Sequence, residues 1–95
     1  MGAYVIFMRD KTVDPEALAE HARVAKASLA GQPVTRHAVY GRHEVLEGPQ
    51  TEGVVILEFP SFEDAKAWYD SDDYKEAKRH RLKGAEFRTL IVEGV

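Results

Sequence analysis

Gly53-Val54-Val55-Ile56-Leu57-Glu58-Phe59 is apolar on both of its faces. Successive side chains of a strand point to opposite sides, so Val54 and Ile56 oppose Val55 and Leu57. A sheet with one face in water would alternate apolar with polar residues, and this run does not. The same double-sided pattern occurs over residues 3–9, where Tyr4, Ile6 and Met8 oppose Val5 and Phe7. It recurs over residues 87–92, where Leu90 and Val92 oppose Ile91. One face of such a sheet is covered by helices. The other needs a second cover, and the simplest is another copy of the chain.

Helical spacing fills the gaps between these strands. Asp14-Pro15 reads as a helix start, with Asp14 capping free N–H groups and Pro15 where its missing donor costs nothing. Leu18, His21, Ala22, Ala25 and Leu29 follow at helical intervals until Gly31 and Pro33. Residues 34–40 read as a second strand, with Gly41 marking a bulge or bend and pairing resumed over residues 43–46. Gly48-Pro49-Gln50 is a turn. Pro60-Ser61 ends the third strand, and Ser61 caps a helix carrying Phe62, Ala65, Trp68 and Tyr69, with Asp64 at the capping-box position. Ser71 looks like a fresh cap for a further stretch with Tyr74, Ala77, Lys78 and Arg81 on one side, ended by Gly84.

The order strand, helix, strand, strand, helix, strand predicts an α+β fold of the ferredoxin-like βαββαβ plan. That plan is a four-stranded antiparallel sheet with two helices on one face, here a single domain over residues 1–95. Formal net charge is -3 with acids and bases interspersed, so nucleic acid is not an expected partner. The third strand also lacks the paired aromatics on which RNA bases stack. There is no cysteine, which excludes disulfides and thiolate sites and suits a reducing cytoplasm. The apolar opening is followed at once by Arg9, Asp10 and Lys11 and reads as a strand rather than a leader. No apolar run approaches a membrane span.

The run Glu58-Phe59-Pro60-Ser61-Phe62, with Ala65, Trp68-Tyr69, Ser71 and Tyr74, resembles the family catalogued as domain of unknown function 1330. Ala3-Tyr4-Val5-Ile6, Asp14-Pro15, Glu44-Val45-Leu46-Glu47-Gly48 and Val92-Glu93-Gly94 are similar too, so the match spans essentially the whole chain. The resemblance implies a dimeric α/β barrel in which two sheets pack face to face, a fold shared with small monooxygenases, isomerases and haem-handling proteins. It implies no particular reaction. The chain departs from the family pattern at Gly31-Gln32-Pro33-Val34-Thr35.

Several residues are weighed between structural and chemical readings. Glu58 interrupts an apolar strand, so it should be paired, exposed or protonated; Arg88 and Arg81 are its expected partners, and a proton carrier is the alternative. The basic run Lys75, Lys78, Arg79, His80, Arg81, Lys83 first answers the negative end of a helix dipole, and Arg81 is the member kept as an anion holder. No two of His21, His37, His43 and His80 have the spacing of a metal pair, so neither metal nor cofactor is expected; His21 reads as a satisfied core histidine. Ser61 and Ser71 are caps before they are nucleophiles. Trp68 and Tyr74 are core first and an aromatic ligand wall second. The expected site is therefore a pocket between sheet and helices. In it His37, Glu58 and Arg81 are the catalytic candidates, and Tyr4, Trp68 and Tyr74 line a small organic, anionic ligand. The competing reading is a dimeric scaffold without chemistry.

Overall fold

Of the three runs that are apolar on both faces, those at 3–9 and 53–59 become the two central strands and that at 87–92 an edge strand. In the computed structural model, which describes residues 2–95, the elements are β1 (Ala3–Thr12), α1 (Pro15–Ser28), β2 (Thr35–Val39), β3 (Gly53–Phe59), α2 (Phe62–Tyr69), α3 (Asp72–Gly84) and β4 (Ala85–Glu93). The sheet order is β2-β3-β1-β4, and every neighbouring pair is antiparallel. The ferredoxin-like plan is thus the one observed. No helix among the described residues is long and apolar enough to cross a membrane.

The helix starts follow their capping residues. Asp14 accepts the amides of Glu16 and Ala17 at 3.1 and 3.3 Å, and Pro15 opens α1. Ser61 Oγ accepts the amide of Asp64 at 3.0 Å. Ser71 Oγ accepts the amide of Tyr74 at 3.2 Å and donates to the Trp68 carbonyl at 2.7 Å, so one hydroxyl ends α2 and begins α3. Gly84 closes α3 for a packing reason. A Cβ there would stand 2.7 Å from the Leu18 amide nitrogen and 2.9 Å from its Cα, so α1 and α3 cross with backbones in contact. The Gly84 carbonyl also accepts the amides of Val13 and Asp14 at 2.8 and 2.9 Å, tying the end of α3 to the entry of α1.

The helix-facing side of the sheet carries Ala3, Val5, Phe7, Leu57 and Phe59, all buried, against Ala65, Trp68, Tyr74 and Ala77. Trp68 stacks on Phe59 at 5.3 Å and lies edge-on to Phe7 at 6.3 Å. Its indole N–H donates to Ser28 Oγ at 3.2 Å, so the buried ring is satisfied at its polar tip.

Two expectations about the second strand are corrected. Pairing ends at Val39 and does not resume over residues 43–46. The register shift lies between Arg36 and Ala38, so the bulged residue is His37 rather than Gly41. The chain leaves the sheet at Tyr40, which has a left-handed φ of 55°. Its ring covers Gly53, where an added Cβ would run into Tyr40 Cδ1. The segment that follows is re-anchored at its far end. The Glu52 amide donates to the Arg9 carbonyl at 2.6 Å, and Thr51 Oγ1 donates to the same oxygen at 2.8 Å.

Candidate functional site

The sheet divides the six residues expected in one pocket into two groups. Tyr4 pairs with Glu58 across β1 and β3, on the face turned away from the helices. The bulge turns His37 to that face too, where its Nε2 lies 2.6 Å from Glu58 Oε1 and its ring 5.8 Å from that of Tyr4. Glu58 is therefore paired, as expected, but with His37. Arg88 instead holds Asp10 with two bonds of 2.7 and 2.9 Å, and Arg81 turns inward.

The register describes the open face as rows. Ala38, Ile56, Ile6 and Leu90 run across its centre. Thr35, Glu58, Tyr4 and Val92 lie to one side, and Val54, Met8 and Arg88 to the other. The middle row is wholly apolar, while the polar pairs His37–Glu58 and Asp10–Arg88 stand towards the margins. An apolar centre with a polar rim is the layout of a protein interface.

On the helix side, a cavity of about 270 Å³ opens between α1 and the β2–β3 half of the sheet. Its floor is Phe7, Val55 and Leu57, and its far wall is Trp68, Tyr74 and Phe87. His21, Ala22 and Ala25 of α1, with Leu29 just past its end, form the near wall. Lys26, Arg36, Val39 and Tyr40 complete the lining. Neither Lys26 nor Arg36 makes an ion pair among the described residues. Of the six site residues expected from sequence, then, only Trp68 and Tyr74 line this space.

Arg81 is buried but lies behind the cavity wall. Its guanidinium packs 5.7 Å from the Phe7 ring centre and 5.2 Å from that of Phe87. It donates to Thr89 Oγ1 at 3.2 Å and to Tyr69 Oη at 3.1 Å, while Nε has no partner among the described residues. No carboxylate within the described residues pairs with it, so two rings and two hydroxyls replace a counter-ion. Burial pushes the Tyr74 phenol far above its ordinary value, with Arg81's charge opposing part of that rise; its Oη has no partner of good geometry. Burial also raises the Tyr40 phenol, against the pull of the Arg9 guanidinium 4.7 Å from its ring centre.

His21, Lys26, Arg36 and Tyr40 are the polar lining groups that pattern reading missed as site residues. Arg36 joins Val39 on the helix side only because the bulge at His37 breaks strict alternation. His21 was visible as a polar residue on an apolar helix side, and it does meet a core carbonyl, Ala77 O, through Nδ1 at 3.0 Å. Burial depresses its basicity most; Arg81 and His80 depress it further, while the Ala77 carbonyl works the other way.

The folded chain therefore binds a proton on His21 less readily than the unfolded chain. Stability should be full above the ordinary imidazole value of 6.5 and fall as pH drops through the lowered one. Urea midpoints at about pH 8 and about pH 5 should differ in that sense, and His21→Gln should reduce the difference. Carboxyls held low by a cation, such as Asp10 beside Arg88, act below that window.

The described residues hold no cluster of ligating side chains fit for a metal ion. Among solved structures, a protein of unknown function from Rhodopseudomonas palustris is similar with a TM-score of 0.76 and 18% identity, over 99% of this chain and 82% of that one. A dimeric ferredoxin-like protein of unknown function from Jannaschia sp. CCS1 gives a TM-score of 0.76 at 8% identity, over 99% and 100% of the two chains. A protein of the ethyl tert-butyl ether d (EthD) family from Bacillus halodurans C-125 gives 0.68 at 15% identity, over all of both chains. These likenesses show the fold. No curated protein matches the chain. The family model described as Domain of unknown function (DUF1330) matches residues 2–95, and the chain belongs to that family.

Proposed function

We propose that the chain is a cytoplasmic homodimer, joined through its open sheet faces, in which each copy binds a small organic molecule between α1 and the sheet. The apolar body of the ligand lies against Trp68, Tyr74 and Leu57, and its anionic end meets Lys26 and Arg36. The observation carrying this reading is the pairing of an aromatic cavity with two cations that no carboxylate neutralises. A cavity of this size suits a molecule of one or two rings. Tyr4, His37 and Glu58 then belong to the interface between copies, and Arg81 holds Tyr69 and the ring wall in place. Any chemistry carried out in the cavity uses the chain's own side chains, in the manner of a cofactor-independent isomerase or oxygenase.

The test uses 1-anilinonaphthalene-8-sulfonate, a flat aromatic anion, and its neutral relative N-phenyl-1-naphthylamine. Energy transfer from Trp68, the single tryptophan, reports occupancy. Replacing Lys26 and Arg36 together by glutamine should weaken the sulfonate about tenfold, worth roughly 1.4 kcal/mol, and the neutral dye far less. Ala22→Phe, at the exposed edge of the cavity, should exclude both dyes. Binding that ignores Ala22→Phe would place the dyes elsewhere and favour a scaffold without a ligand.

A further inference from the structure

We infer that His21 is the proton-accepting residue of this cavity and that the molecule bound there is a weakly acidic hydroxyl compound, a phenol or an enol. This rests on the ligand reading above and assigns it a chemistry.

The tautomer follows from the hydrogen bond. A carbonyl oxygen can only accept, so the 3.0 Å contact to Ala77 O requires the hydrogen on Nδ1. Nε2 then carries the lone pair. It has no partner among the described residues, and it is not among the buried polar atoms sealed from solvent. The ring is also fixed in direction. It stands edge-on to Tyr74 and at a steep angle to Phe87, each 6.3 Å away, and both of those rings line the same cavity. A half-buried imidazole with one nitrogen anchored and the other open is a positioned base rather than a satisfied core residue.

The charges around the ring set the ligand class. Arg81 and His80 on α3 act on His21, and Lys26 and Arg36 share its cavity. No Asp or Glu lines that space. An isolated proton on His21 is disfavoured there, whereas an oxyanion next to it is favoured twice, by the new imidazolium and by the rim cations. The O–H bond of the ligand breaks and leaves its electron pair on oxygen. The proton forms an N–H bond at Nε2. The net charge of the complex does not change, and no oxidant or reductant enters.

The test pairs 4-nitrophenol, whose ionised form is yellow, with 4-nitroanisole, which has no proton to give. The bound phenol should ionise at a proton activity about tenfold higher than the free dye, one pKa unit lower. His21→Gln should abolish that shift and leave 4-nitroanisole affinity within about twofold. In uniformly 15N-labelled protein, the Nε2 resonance of His21 should change from lone pair to N–H on adding 4-nitrophenol, and not on adding 4-nitroanisole. A bound phenol that ionises as it does in water would overturn the assignment while sparing the cavity, as would a shift surviving His21→Gln. Failure of both compounds to bind would remove the ligand reading and the assignment together.

Discussion

Ile56→Glu is expected to convert the proposed dimer into a folded single subunit. Ile56 sits on a central strand, paired with Ile6 and Ala38 in the apolar middle row. A two-fold contact repeats every substitution, so two carboxylates would enter one desolvated apolar patch. Leaving a buried charge unpaired costs about 3–5 kcal/mol, and loss at that level raises a dissociation constant by roughly a hundredfold to several thousandfold. Sedimentation over a hundredfold concentration range measures this, with circular dichroism to confirm that the subunit keeps its secondary structure. Leu82→Glu serves as the control, because Leu82 is 67% exposed on α3 and lies off the sheet. A starting protein that sediments as one subunit at every concentration would remove the interface altogether.

Gly84→Ala tests the helix crossing, and here two effects of opposite sign compete. Alanine is a better helix former than glycine by up to about 1 kcal/mol, so on propensity alone the variant would be more stable. Against this stands a Cβ within 3 Å of Leu18 backbone atoms, which cannot rotate away as a side-chain tip could. Overpacking of this kind costs about 1–3 kcal/mol or more, and the immovable neighbour argues for the upper end. The net expectation is a loss of about 2 kcal/mol and a melting temperature lower by roughly 10 °C in a chain of this length. A rise in melting temperature would show that α1 yields easily. Because α1 supplies one wall of the cavity, the same variant should also bind the naphthalene dyes more weakly.

The fold was legible because its signals are local. Runs such as 53–59 declare a strand buried on both sides, and Asp14, Ser61 and Ser71 each cap the helix start expected of them. The site was legible only in part. Trp68 and Tyr74 lie on the cavity wall, since their apolar helix side could face nothing but the sheet. Tyr4 and Glu58 share the parity of Ile6 and Ile56, and strand alternation alone assigns them to the open face. The bulge at His37 and the left-handed turn at Tyr40 leave no local signature, yet they decide which β2 side chains reach the cavity. Arg81 could be recognised as special, because its helix side is apolar. That rings and hydroxyls, instead of an acid, surround it depends on contacts among four elements.

The anchoring of Tyr40 over Gly53, and of Thr51 and Glu52 on the Arg9 carbonyl, separates two jobs along the chain. The stretch between these clamps runs over the surface, exposed at nearly every residue. It can lengthen, shorten or exchange its residues while strand pairing and the helix crossing stay as they are. A single excursion of the backbone can therefore be edited with no cost to the foundation beneath it.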